Sequence, residues 1–153
     1  MDGSMTVTTQ QCSQLMQAKR ANPDKVRRHY VQDLKAFLHA RKSRGDRLVL
    51  QGDFNEVIGV TVDGMSGICS QLKSVDVIHH FHGLPQGHFA TWIDGKTTVD
   101  YVMVDEELLP SVVSCGYMPF MEHVQGNHRA MYVDFDTSML FGAENSQLAP
   151  YAR

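Results

Sequence analysis

The stretch LVLQGDFNEVIG, residues 48–59, decides how the rest of the chain is read. Its apolar run stops at Gly52 and then presents Asp53 and Asn55 two positions apart. If the strand continues, residues i and i+2 share a face, and the two polar side chains lie side by side. A short apolar strand that ends in paired polar groups marks the edge of a pocket in an α/β fold. The same residues also serve a plainer purpose, because Asp, Asn and Gly are the residues with which a chain leaves a strand. On this stretch alone both readings stand.

Upstream of it the sequence reads as helix. Thr8 to Lys19 forms a short one. A better one follows, with Asn22 as cap, Pro23 at the first helical position and Asp24 at the positive end of the dipole. Val26, Tyr30, Leu34, Phe37 and Leu38 recur at helical spacing, and Gly45 lies just past the end. Downstream, a third helix is expected from about Ser66 to Lys73, followed by the apolar piece VDVI as a strand. Helix, strand, helix, strand indicates an α/β layer arrangement.

The second half predicts strands. HFATWIDGKTTVDYVMVDEEL reads as two strands joined by a turn at Asp94-Gly95, with alternation clearest in Val99, Tyr101 and Met103. Asp100 falls within this alternation, on the face opposite Val99 and Tyr101, and a carboxylate flanked there by apolar residues calls for a partner. Further on, Gly126-Asn127-His128 forms a loop ahead of a last strand, Ala130 to Phe135. Catalytic groups are commonly placed in such loops, although a lone loop histidine is more often a surface residue than a base.

Composition sets the frame. The 153 residues suit one domain with a real core, and 42% hydrophobic with 20% charged residues reads as soluble and globular. No window has the apolar length of a membrane span and no signal-peptide pattern opens the chain, so no membrane association is expected. Cys12, Cys69 and Cys115 are odd in number and widely spaced, which argues against a disulfide framework and for an intracellular, reducing setting. Ten of the 14 Lys and Arg residues fall between Lys19 and Arg47 against three acids, so that segment carries +7 within a net charge of −3. The remainder therefore stands at −10. Such asymmetry suits a protein that holds a phosphate backbone on one side and a metal on the other, and equally a solvated helix face.

Taken together, GDFN after a strand, then VDYVMV, then GNHRAMYVDF, in that order, resemble the endonuclease/exonuclease/phosphatase superfamily with its deoxyribonuclease-I-like fold. The resemblance runs from about Gly3 to Phe135 and takes in the helix before GDFN, the VDVIHHFHG stretch and the Thr91-Trp92 pair. The overall texture looks most like nuclease-type members found in retroelement open reading frames. What the resemblance implies is a partial four-layer α/β sandwich with a mixed sheet and flanking helices, spanning residues 1–142, followed by a flexible tail over 143–153.

It also implies a divalent-metal-dependent phosphodiesterase that uses Mg²⁺ or Mn²⁺ on nucleic acid, DNA before RNA. Asp53 would activate the attacking water or assist the leaving oxygen, and Asn55 would donate hydrogen bonds to the phosphate. Asp100 corresponds to the acid that orients the catalytic histidine, and His128 to that histidine. For this, Asp100 and His128 are expected on neighbouring strands of one sheet.

Two departures bear on activity. The family pattern Ser-Asp-His stands here as Gly126-Asn127-His128, so Asn127 takes the metal-binding position without its charge. Family domains also carry N-terminal strands with an asparagine and a metal-binding glutamate, and nothing between Met1 and Asp46 matches them. The sequence resembles a C-terminal half, expected to be weak as a nuclease and prone to self-association through an exposed sheet edge. A catalytically inactive remnant or binding module of the same fold is the alternative.

Other features have readings of their own. His79, His80, His82 and His88 place four imidazoles within ten residues, with Cys69 ten residues before His79. As a strand, however, the segment would point His79 and His80 to opposite faces, which argues against zinc. Trp92 could stack on a base or belong to the core. Glu56, alternating away from Asp53 and Asn55, is expected to be exposed.

Overall fold

The computed structural model describes residues 6–22, 25–60, 64–84, 89–122 and 125–142. It divides into two compact units, Met1–Gly45 and Asp46–Arg153. The expected tail over 143–153 lies outside the described residues.

The first unit is two helices, α1 (Val7–Gln17) and α2 (Val26–Lys42). Thr6 caps α1, its side chain accepting from Thr9 N. The start of α2 differs from the capped Asn-Pro-Asp entry expected: Lys25 is the N-cap and Asn22 sits in a left-handed turn at φ 54°. Pro23 and Asp24 lie outside the described residues. The cause is His29, which is buried and whose Nε2 donates to the carbonyls of Ala21 at 2.8 Å and Asn22 at 3.1 Å. Arg20 donates to the other ring nitrogen at 3.2 Å and pairs with Asp33 at 3.0 Å. The inward positions of α2 are therefore His29 and Leu38, whereas Tyr30 and Phe37, expected on the apolar face, are exposed.

The second unit is mixed α and β, with two small antiparallel sheets. Strands β1 (Val49–Asp53), β2 (Ser74–Asp76) and β3 (Asp100–Asp105) form one in the order β1-β3-β2. Strands β4 (Val112–Tyr117) and β5 (Met131–Phe135) form the other. All three pairings are antiparallel, which corrects the expected mixed sheet. The last strand also belongs to the second sheet rather than to the one carrying β1 and β3.

Central strand β3 is buried at all six positions, so the alternation expected of a half-exposed strand is absent. Val102 and Val104 join Val77, Ile78, Leu108 and Cys115 in a core against which Met131, Val133 and Phe135 of β5 pack. On the opposite face the Tyr101 ring lies 5.6 Å from that of Phe54, and its hydroxyl donates to Thr98 O at 2.7 Å while accepting from Ile58 N at 3.1 Å. A strand covered on both faces reads as a continuous apolar run, which is what YVMV is.

Two further expectations are corrected. Within VDVI only the first residues are strand: Val77 and Ile78 open α4 (Val77–His82), because Asp76 caps that helix through Ile78 N and His79 N. Glu56 is half-buried rather than exposed, its Oε1 accepting from Ser66 N at 2.8 Å in the first turn of α3 (Met65–Leu72), where the helix dipole favours a carboxylate. Gly64 just before α3 has φ 82°, and a Cβ there would lie 2.5 Å from Glu56 Oε2. The last described element is α5 (Thr137–Phe141), capped by Asp136.

Candidate active site

The register of β1 on β3 places Asp53 directly opposite Asp100. Two carboxylates facing each other across a ladder repel unless a positive group joins them. His128 is that group. Its Nδ1 lies 2.9 Å from Asp100 Oδ2 and 3.2 Å from Oδ1, and its Nε2 lies 4.0 Å from Asp53 Oδ2. The hydrogen bond to Asp100 raises the His128 pKa above the ordinary imidazole value; partial burial opposes the rise, and the charges of Asp100 and Asp53 add to it. Asp100 is held inside, its side chain 5% exposed, whereas His128 at 37% and Asp53 at 34% meet solvent.

The strand ends at Asp53, and Asn55 turns away in the left-handed region at φ 52°, exposed. Its N–H donates to Asp53 Oδ1 at 2.8 Å. Asn55 is thus not a second strand residue beside Asp53 but part of the turn that fixes it. With Oδ1 engaged by this turn, Oδ2 is the oxygen nearest His128.

His128 lies in the loop before the last strand, as expected, but β5 pairs with β4 and not with β3; in that loop His128 forms an isolated antiparallel bridge with Trp92. Segment 89–98 likewise replaces the expected first strand of a hairpin by an irregular loop, turned by Gly95 N donating to Trp92 O at 3.0 Å. Around the bridge, Ile93 N donates to Asn127 O and Arg129 N to Thr91 O, both at 2.8 Å. Thr91, fully buried, accepts on its hydroxyl from Val99 N at 3.0 Å and Asp100 N at 3.2 Å. One threonine therefore ties the histidine loop to the start of β3.

Arg129 secures the other side. Its Nε donates to Ala90 O at 2.9 Å and its Nη1 to Met118 O at 3.2 Å. The guanidinium lies 3.9 Å from the centre of the Phe120 ring and 4.9 Å from that of Phe89. Phe89 stacks on Tyr117, whose hydroxyl donates to Asp100 O at 2.8 Å. Burial pushes the Tyr117 phenol well up, so it stays a donor. Arg129 and Tyr117 were not singled out from the sequence; the only signal was a cation directly after His128.

Asn127 is exposed, and its carbonyl is the group that accepts from Ile93. Among the described residues, Asp53, Asp100 and His128 are the group of three whose possible ligand atoms all lie within 4.8 Å of one another. The histidine-rich segment is helix α4, not a strand. His82 Nε2 donates to Cys115 O at 2.8 Å, and His88 lies outside the described residues. Burial pushes the Cys69 thiol up to about 12 and that of Cys115 up as well, which disfavours the thiolates a zinc site needs.

No family model matches the chain, and no curated protein matches its sequence. Among the described residues no helix is long and apolar enough to cross a membrane.

Proposed function

We propose that Asp53, Asp100 and His128 form the centre of a phosphodiester hydrolase acting on nucleic acid, in a partial four-layer sandwich of the deoxyribonuclease-I-like type. The observation that carries this reading is the linear arrangement Asp100–His128–Asp53, with one nitrogen of His128 bonded inward and the other facing an exposed carboxylate 4.0 Å away. That gap is too long for a hydrogen bond, yet one oxygen at about 2.8 Å from both groups fits at the apex between them. Asp100 fixes the tautomer and favours the charged imidazolium, so Nε2 carries a proton toward a phosphoryl oxygen. Asp53 takes the proton of the attacking water. Asn55, exposed at the turn, is the donor to the phosphate.

The donor set fits a hard cation in part. Both Asp100 oxygens face His128 Nδ1, leaving the exposed Asp53 carboxylate to hold the ion, with Asn127 at the position the resemblance gives to a second ligand. Mg²⁺ is commonly held by one or two carboxylates together with substrate phosphate oxygens, and Mn²⁺ accepts the same ligands. When bound, the ion would polarise the phosphoryl group. The uncharged Asn127 favours weak retention and supports a second reading, a binding module of the same fold.

Plasmid nicking in Mg²⁺ or Mn²⁺ separates the two. A hydrolase gives slow nicking that disappears in Asp53→Ala and in His128→Ala. Nicking that persists in both variants, or its absence from the parent chain at high protein concentration, overturns the hydrolase reading.

A further inference from the structure

Among the described elements the most cationic, helix α2, contributes no residue to this site. Helix α2, VRRHYVQDLKAFLHARK, carries five Lys and Arg residues against the single acid Asp33. Two aromatic side chains on the helix are turned to solvent, Tyr30 at 58% exposure and Phe37 at 60%. They are seven residues apart and therefore lie on the same side of the helix, about 20° apart around it. Arg27 precedes Tyr30 by three positions and Arg41 follows Phe37 by four, so the same stripe runs Arg27, Tyr30, Phe37, Arg41 over three to four turns. Both arginines are exposed.

A solvated helix face accounts for the charges but not for two large rings standing among them. A second apolar helix would cover the rings but would bury the arginines beside them. A single-stranded nucleic acid satisfies both, since bases stack on exposed rings while the backbone follows the cations. A duplex keeps its base faces stacked on one another and offers only its backbone and groove edges, so the rings find no stacking partner. We propose that this stripe of α2 is a docking surface for single-stranded nucleic acid. The surface shares no residue with the site of Asp53 and His128, and the proposal would hold whether or not that site hydrolyses phosphodiesters.

The test is fluorescence anisotropy of the full chain with a labelled oligothymidylate, with chelator present so that no cleavage occurs. The parent chain should bind the single strand more tightly than a duplex of equal length. Tyr30→Ala with Phe37→Ala should weaken single-strand binding about tenfold or more, while Tyr30→Phe with Phe37→Tyr should retain it. Arg27→Gln with Arg41→Gln should lower the slope of log affinity against log salt by roughly 1.4, at about 0.7 per lost phosphate contact. The ring deletion should weaken binding by the same factor in a His128→Ala background, which separates this surface from the hydrolytic site. Three results overturn the proposal. One is equal affinity for duplex and single strand. Another is a ring-deleted variant that melts like the parent and binds as well. The third is a dimer of the parent chain, seen by sedimentation, that the ring deletion dissolves, since a second copy then covers the face.

Discussion

Replacing Asp100 by Asn removes one charge from the site and almost no volume. In the parent, His128 Nδ1 is shared between the two Asp100 oxygens at 2.9 and 3.2 Å, a charge-assisted hydrogen bond. Such bonds contribute about 1.5–3 kcal/mol, and the lower end applies because over a third of the His128 side chain meets water. The sign follows from linkage: a histidine whose folded pKa lies above its unfolded value stabilises the fold fully below the unfolded value. That stabilisation is lost as pH rises through the folded value. Asp100→Asn should therefore melt below the parent by about 3 °C or more at pH near 6, at about 2–4 °C per kcal/mol for a chain of this size. The difference should shrink at alkaline pH. Parallel melting curves at all pH values, or a His128 NMR titration that Asp100→Asn leaves in place, would refute the pairing. Nicking, where the parent shows it, should fall about 10²- to 10⁴-fold.

Asp53→Asn should abolish nicking too, yet lower the His128 pKa less than Asp100→Asn, since Asp53 acts from 4.0 Å and without a hydrogen bond; equal shifts in an NMR titration would contradict this. Arg129→Met should destabilise the chain by about 2 kcal/mol in urea unfolding through two lost hydrogen bonds and two ring contacts, with Arg129→Lys recovering only part because it lacks the guanidinium fork. Burial raises the Asp76 pKa, so its charged form is disfavoured above that pKa and the disadvantage fades as pH falls through it. Asp76→Asn keeps the cap of α4 and should melt no lower than the parent at neutral pH, with any advantage shrinking on acidification.

What the sequence made legible follows from where local pattern and tertiary setting agree. Strand β1 could be read because its apolar run ends in turn residues, and α3 because its apolar residues recur at helical spacing. Helix α4 could not: VIHHFH begins with β-branched residues and has no long-range periodicity. It is helical because Asp76 caps one end and Gly83 takes a left-handed turn at the other. The burial of His29 was equally hidden, since it depends on carbonyls freed by a turn at Asn22. At the site, Asp53, Asp100 and His128 were legible as residues with chemistry, but the bridge that joins them was not. Thr91 reads as an ordinary loop residue, and nothing local signals that its hydroxyl takes two backbone donors at once.

The exposure gradient through the site agrees with the roles proposed for its three residues. Asp100 is shut in by its place in a strand covered on both faces, its amide held by Thr91 and its carbonyl by Tyr117. A group so enclosed does not meet a substrate; its charge acts through the imidazole that touches it. Asp53 stands at the open end of an outer strand, where solvent reaches it, and the Asn55 amide holds one of its oxygens in place. His128 lies between, with one nitrogen on each side. Were the two aspartates exchanged, with the buried one opposite Nε2, the imidazolium would point its free proton into the core, where no phosphate arrives. On the proposed reading, this order from inside to outside would let the cluster act on an external ester rather than merely neutralise itself.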